Sequence, residues 1–262
     1  NGTVAGITPG QTATINVGGG SATATTNGPF TVSNVDDGTV DLIAARSVLD
    51  IPTLSTVPDR FILRRNLNLP NNGTIPSLDF GGSEAFAPAT ATLTVANGGT
   101  DMLNITTGFF TSNGASGFFS FGALGGGGGS TRTAYGVPLA RTQTGDLHYL
   151  QATAVSGTTI VRTVGQYNRE LTNRTISLGP VLNAPTIASV ATAPYRRLRA
   201  SGSWQTEYNQ GVGATFYQTA GSSRSWSITS SNAYFTGATF ELEIPDLSGV
   251  SGFNSTWGLL TG

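Results

Sequence analysis

Short runs of alternating apolar and polar residues, separated by glycine, asparagine and proline, recur along the whole chain. Residues 12–17 (Thr-Ala-Thr-Ile-Asn-Val) alternate, Gly18-Gly19-Gly20 interrupts them, and residues 21–25 resume the pattern. Phe30-Thr31-Val32 follows Asn27-Gly28, and Val40-Asp41-Leu42-Ile43-Ala44 follows Asp36-Asp37-Gly38. Period-two alternation places successive side chains on opposite faces of a strand. Turn signals every ~8–12 residues are the mark of a β-sandwich. Asn-Gly is a strong hairpin signal, so a hairpin is expected at Asn27-Gly28.

The β pattern continues. Residues 60–65 (Arg-Phe-Ile-Leu-Arg-Arg) predict a strand bracketed by Pro58 and Pro70, with a turn at Asn71-Asn72-Gly73 and residues 75–80 pairing back. Gly81-Gly82-Ser83 is the best candidate boundary, and longer strands follow it. Residues 90–96 alternate strictly, 102–112 form the next strand, and 147–155 with 158–168 flank a two-residue loop at Ser156-Gly157. Residues 174–178 add a further strand. The last third predicts strands at 195–201, 204–208, 212–219, 224–229, 234–236 and 239–244, with hairpins near Gly221 and Gly237. No helix and no fixed-period repeat is expected. The fold class is therefore all-β: two antiparallel β-sandwich domains in tandem, 1–82 and 83–262.

The first of these carries a resemblance. Gly2-Thr3-Val4 and Gly6, then Ala24-Thr25-Thr26-Asn27-Gly28-Pro29-Phe30-Thr31-Val32, Asn34-Val35, Gly38, Leu42 and Ala44, resemble the carboxypeptidase regulatory-like (transthyretin-like) β-sandwich family. In that pattern Phe30 and Val32 point into the core, and Asp36-Asp37-Gly38 turns into the strand bearing Leu42 and Ala44. The likeness covers about 45 residues, and the segment between Gly6 and Thr12 is shorter than the family usually has. It implies a non-catalytic module supporting folding, stalks and protein contacts in exported proteins.

Composition narrows the chemistry. Only 10% of residues are charged, against about a quarter in an ordinary soluble domain. All 13 basic residues are Arg, and 39 Thr with 24 Ser supply the polarity instead. The net charge of −1 provides no field for nucleic acid or an anionic membrane. With no Cys and one His, zinc, copper and thiol chemistry lack ligands, and no cofactor is expected. Calcium at Asp36-Asp37-Gly38 has the wrong spacing, which leaves a turn as the plainer reading. The uncharged run 102–131 is too polar and too glycine-rich for a transmembrane helix, so no transmembrane segment is expected. A start at Asn1 rather than Met reads as a processed chain whose leader was removed, placing the protein in the periplasm or at the cell surface.

Several constellations carry chemistry. Asp146 and His148 are two apart on a strand and share a face, as a hydrolase base and its orienting acid would. No Gly-x-Ser-x-Gly elbow accompanies them. Gly125–Gly129 lacks the Lys-Ser/Thr of a phosphate loop and reads as a flexible connection. Glu241 and Glu243 offer paired carboxylates, or simply the solvent face of an amphipathic strand. Trp204, Trp226 and Trp257, among several tyrosines, are candidates for stacking on sugars; core and rim packing is the competing reading. Phe109, Phe110, Phe118, Phe119 and Phe121 border the glycine tract and form either a contact patch or a buried strand. Arg196, Arg197 and Arg199 alternate on a strand, as do Arg60, Arg64 and Arg65, and suit planar docking contacts unless internal acids absorb them.

The leading expectation is a non-catalytic exported accessory protein that docks on other protein subunits of an envelope or membrane complex, with a bioenergetic or photosynthetic assembly as one setting. A carbohydrate-binding module is the first alternative, and a hydrolase using Asp146 and His148 the second.

Overall fold

The computed structural model describes the chain except residues 51–54, 71–72, 125–129, 158–159, 209, 220–222 and 261–262. Among the described residues it is all-β, with several separate sheets and only single-turn 3₁₀ helices. The chain parts into two compact units, Asn1–Gly179 and Pro180–Gly262. Gly81-Gly82-Ser83 lies inside the first unit, between its two sandwiches.

The first sandwich comprises β1 (Gly2–Ala5), β2 (Gln11–Val17), β3 (Gly20–Ala24), β4 (Gly28–Phe30), β5 (Gly38–Asp50), β6 (Ser55–Leu69) and β7 (Leu78–Asp79). They form a three-stranded sheet, β4-β1-β7, and a four-stranded sheet, β3-β2-β5-β6. Pairing is antiparallel except between β1 and β7. Ile15, Leu42, Ala44, Ile62, Leu78 and Phe80 fill the space between the sheets. Phe30 joins this core, and Val32 packs against it.

Two local expectations change. Asn27-Gly28 does not close a hairpin: β3 and β4 belong to different sheets, so this is a crossover. The Asn27 side chain accepts the Ile7 N–H there at 2.8 Å, a long-range tie where a two-residue turn was expected. Pro58 does not end a strand either. It sits within β6, the edge of its sheet, where the register with β5 slips between Arg46/Arg60 and Ser47/Pro58. An edge strand with a bulge is where a residue lacking an N–H is tolerated.

The second sandwich comprises β8 (Ala89–Ala96), β9 (Met102–Phe110), β10 (Ser116–Leu124), β11 (Ser130–Gly136), β12 (Leu147–Ser156), β13 (Ile160–Asn168) and β14 (Arg174–Ser177). The sheet β10-β9-β12-β13 faces β11-β8-β14 across a core of Leu93, Leu103, Leu150 and Ile176. The β12–β13 pairing runs on to Ser156 and Ile160, so Ser156 belongs to a strand rather than to the turn, and residues 158–159, expected to open the second strand, lie outside the described residues. The two sandwiches share a third core in which Ile43, Ala45 and Phe61 meet Phe109, Phe119 and Val137. This accounts for the dense apolar residues of β5, interrupted only by Asp41: both of its faces are covered, and residues 40–45 are all buried.

The second unit comprises β15 (Thr186–Ala191), β16 (Arg197–Ser203), β17 (Gly211–Gln218), β18 (Arg224–Ser231) and β19 (Thr239–Glu243). A three-stranded sheet, β15-β16-β19, is accompanied by the β17-β18 hairpin. Tyr195, Ala200, Phe216, Ile244 and Leu259 form its core. No strand forms at 204–208 or 234–236: Thr206–Tyr208 and Asn232–Tyr234 are 3₁₀ turns, and residues 235–236 are irregular. β19 pairs with β16 and not with β18, so no hairpin forms at Gly237. The predicted turn residue Gly221 and the pentaglycine tract lie outside the described residues.

Candidate functional site

The outer face of the β10-β9-β12-β13 sheet carries a group of aromatic rings. Adjacent residues on a strand face opposite ways, so Phe109-Phe110 and Phe118-Phe119 must each be split between core and surface. Phe109 and Phe119 are buried in the shared core. Phe110 and Phe118 turn outward and meet edge-on, with centroids 5.8 Å apart. Strand register then brings in two residues the sequence reading did not select. Phe118 pairs with Gly108, Gly108 with Tyr149, and Tyr149 with Tyr167, one row across all four strands. Tyr149 and Tyr167 lie 4.9 Å apart at 40°, and Phe110 touches both edge-on.

Glycines make room for these rings. A Cβ at Gly108 would lie 3.0 Å from Phe118 Cδ1, and one at Gly165 would lie 2.9 Å from the Tyr149 hydroxyl. The rings remain accessible: Phe118 is 44% exposed and Tyr167 60%. The four strands contain one charged residue, Arg162, which is buried and paired with Asp101 at 2.5 Å. The outward face is thus uncharged, with Thr106 and Gln151 in the row next to the rings. Phe121 pairs in register with Thr106, and its side chain lies outside the described residues.

Asp146 and His148 are hydrogen-bonded to different partners. Asp146 is fully buried and accepts from Arg65 Nη2 at 2.5 Å and Nη1 at 3.1 Å, and from the Ser112 and Gln143 N–H groups. Arg65 Nη1 also donates to Asp41 at 2.8 Å, so one guanidinium from the first sandwich binds a buried carboxylate of each. A bulge supplies this geometry: the β5–β6 register slips between Val40 and Leu42, and Asn66 opposite has a φ of 53°. Burial opposes ionisation of Asp41, but the Asn66 N–H, Arg65 and Thr111 outweigh it and hold its pKa below the usual range.

His148 is buried against Phe109. Its Nε2 lies 3.0 Å from the Val137 carbonyl and its Nδ1 3.3 Å from that of Arg169. Burial lowers its pKa despite those carbonyls. Among the described residues no hydroxyl is hydrogen-bonded to either nitrogen.

The remaining candidates lie in the second unit. Arg197 pairs with Glu243 and Asp246, and Arg199 with Glu241 and Glu243, at 2.6–3.0 Å. These acids absorb the arginines, and the same pairing occupies the carboxylates considered for glycoside chemistry. Arg196 takes part in no ion pair among the described residues. The three tryptophans do not form one row. Trp204 packs edge-on with Phe235 and Phe240; Trp226 stacks on Tyr195 at 6.2 Å; Trp257, 62% exposed, touches Phe253. Among the described residues no three His, Asp or Glu side chains gather as metal ligands, and no helix is long and apolar enough to cross a membrane.

Comparison with known proteins adds no relative: no family model, no curated protein and no solved structure matches the chain.

Proposed function

We propose that this chain is a non-catalytic, exported accessory protein that docks on other protein subunits of an envelope assembly through the aromatic face of its β10-β9-β12-β13 sheet. The observation that carries this reading is the uncharged row of Phe118, Tyr149 and Tyr167, flanked by Phe110 and open to solvent. Aromatic rings presented without neighbouring charge are the composition of an interface centre rather than of a solvated surface. The ionisable groups support it from the other side. Arg46, Arg64, Arg65, Arg162, Arg197 and Arg199 are all engaged in internal ion pairs. Isolated natively, the protein should run in a species larger than its own 26.9 kDa, and Phe118→Ser with Tyr167→Ser should release it. A parent protein that runs as a 26.9 kDa monomer with nothing co-purifying refutes the reading.

The Tyr149–Tyr167 pair beside Gln151 and Thr106 favours a second reading, a neutral saccharide stacked on the tyrosines. In a pull-down on insoluble polysaccharide that reading predicts retention abolished by Tyr167→Ser, and docking on protein predicts no retention.

A further inference from the structure

The second unit contains a cleft of about 660 Å³, within the ~300–1,000 Å³ span of binding clefts. Its floor is one face of the β15-β16-β19 sheet, including Ile187, Leu198, Ala200 and Leu242. Ile187, Ala200 and Leu242 stand in one cross-strand row. Along that row burial fails: Leu242 is 3% exposed, Ala200 4% and Ile187 55%. The two-stranded β17-β18 ribbon covers only part of a three-stranded face.

The cleft's wall is a strand edge. Residues 211–217 line it without a gap, so both the inward and the outward side chains of β17 border the space. β17 pairs with β18 alone, and among the described residues no backbone hydrogen bond reaches its other edge. Such an edge displays unpaired N–H and C=O groups ready to accept another strand.

Charge and polarity define the occupant. No charged side chain lines the cleft among the described residues, so a charge buried there would have no counter-ion. Two polar side chains of the rim are already engaged. Gln205 accepts from the Asn183 N–H and donates to the Val181 carbonyl, and the Tyr208 hydroxyl donates to the Pro180 carbonyl. The floor offers apolar surface and one wall offers a strand edge. An extended chain with apolar residues at alternate positions meets both at once; a free hydrocarbon meets only the first.

We propose that this cleft receives an extended, uncharged polypeptide strand from a partner, which pairs with the free edge of β17 and lays its apolar side chains over Ile187 and Leu198. The proposal rests on residues of the second unit alone and is independent of the aromatic face.

The test uses the full chain and an end-capped peptide of alternating Val and Thr, eight residues long to match β17. Binding should slow amide hydrogen exchange within 211–217. A peptide N-methylated at alternate residues should bind at least tenfold more weakly, because it lacks the N–H donors for the edge. Ile187→Glu, at a half-exposed position the fold tolerates, should weaken the parent peptide tenfold or more, and Ile187→Val should not. Unchanged exchange in β17, equal binding of the N-methylated peptide, or octanol competing as well as the peptide would each overturn the proposal.

Discussion

Replacing Arg65 with Met is the sharpest perturbation of the first unit. The substitution keeps much of the apolar stem and removes the one guanidinium between two carboxylates, those of Asp41 and Asp146, which are 1% and 0% exposed. Backbone N–H donors remain on both acids, from Asn66 to Asp41 and from Ser112 and Gln143 to Asp146. The charges themselves are left uncompensated. Removing one partner of a buried ion pair costs about 3–5 kcal/mol. That is a large share of the ~5–15 kcal/mol that holds a typical protein folded. At about 2–4 °C per kcal/mol for a unit of this size, Tm should fall by about 6–20 °C in differential scanning calorimetry. Adding Asp41→Asn and Asp146→Asn to Arg65→Met should recover part of the loss, because the cost lies in the orphaned charges. A Tm for Arg65→Met within about 2 °C of the parent, a loss under about 1 kcal/mol, refutes the claim that this cluster joins the two sandwiches.

Other outcomes follow from the same geometry. Phe118→Ser with Tyr167→Ser should cost about 1 kcal/mol or less in urea unfolding, since both rings are substantially exposed, while reducing association. Gly136→Ala should destabilise by about 1–3 kcal/mol, because its Cβ would lie 2.6 Å from the buried His148 ring. His148 has a lowered pKa in the folded state, so the unfolded chain binds more protons below its usual value of 6.5. Stability should therefore decline as pH falls through 6.5, and His148→Gln should flatten that part of the profile. Asp41, also lowered, adds a second loss on acidification through 3.8 and below, and Asp41→Asn should remove it.

Strand content was legible in the alternation, and β8, β9 and β12 lie close to where the period-two pattern puts them. What local pattern does not hold is which strands meet. Asn27-Gly28 carries a hairpin signal, yet the chain changes sheets there because β4 is claimed by β1. The aromatic face shows the same limit. Phe110 and Phe118 could be drawn from the sequence, since paired phenylalanines on a strand must divide between faces. Tyr149 and Tyr167 join them only through a register spanning four strands. Asp146 stood out for its spacing from His148, but its partner is Arg65, 81 residues away. A buried charge is matched by whatever the tertiary fold brings to it, and sequence spacing carries no trace of that choice.

The most direct measurement of the docking face is tyrosine footprinting of the protein in its native assembly and after isolation. Tyr234, 77% exposed in the second unit, serves as the reference. Tyr167 should react readily in the isolated protein and be protected several-fold in the assembly, relative to Tyr234. Equal labelling of Tyr167 in both states would contradict a role for this face in docking.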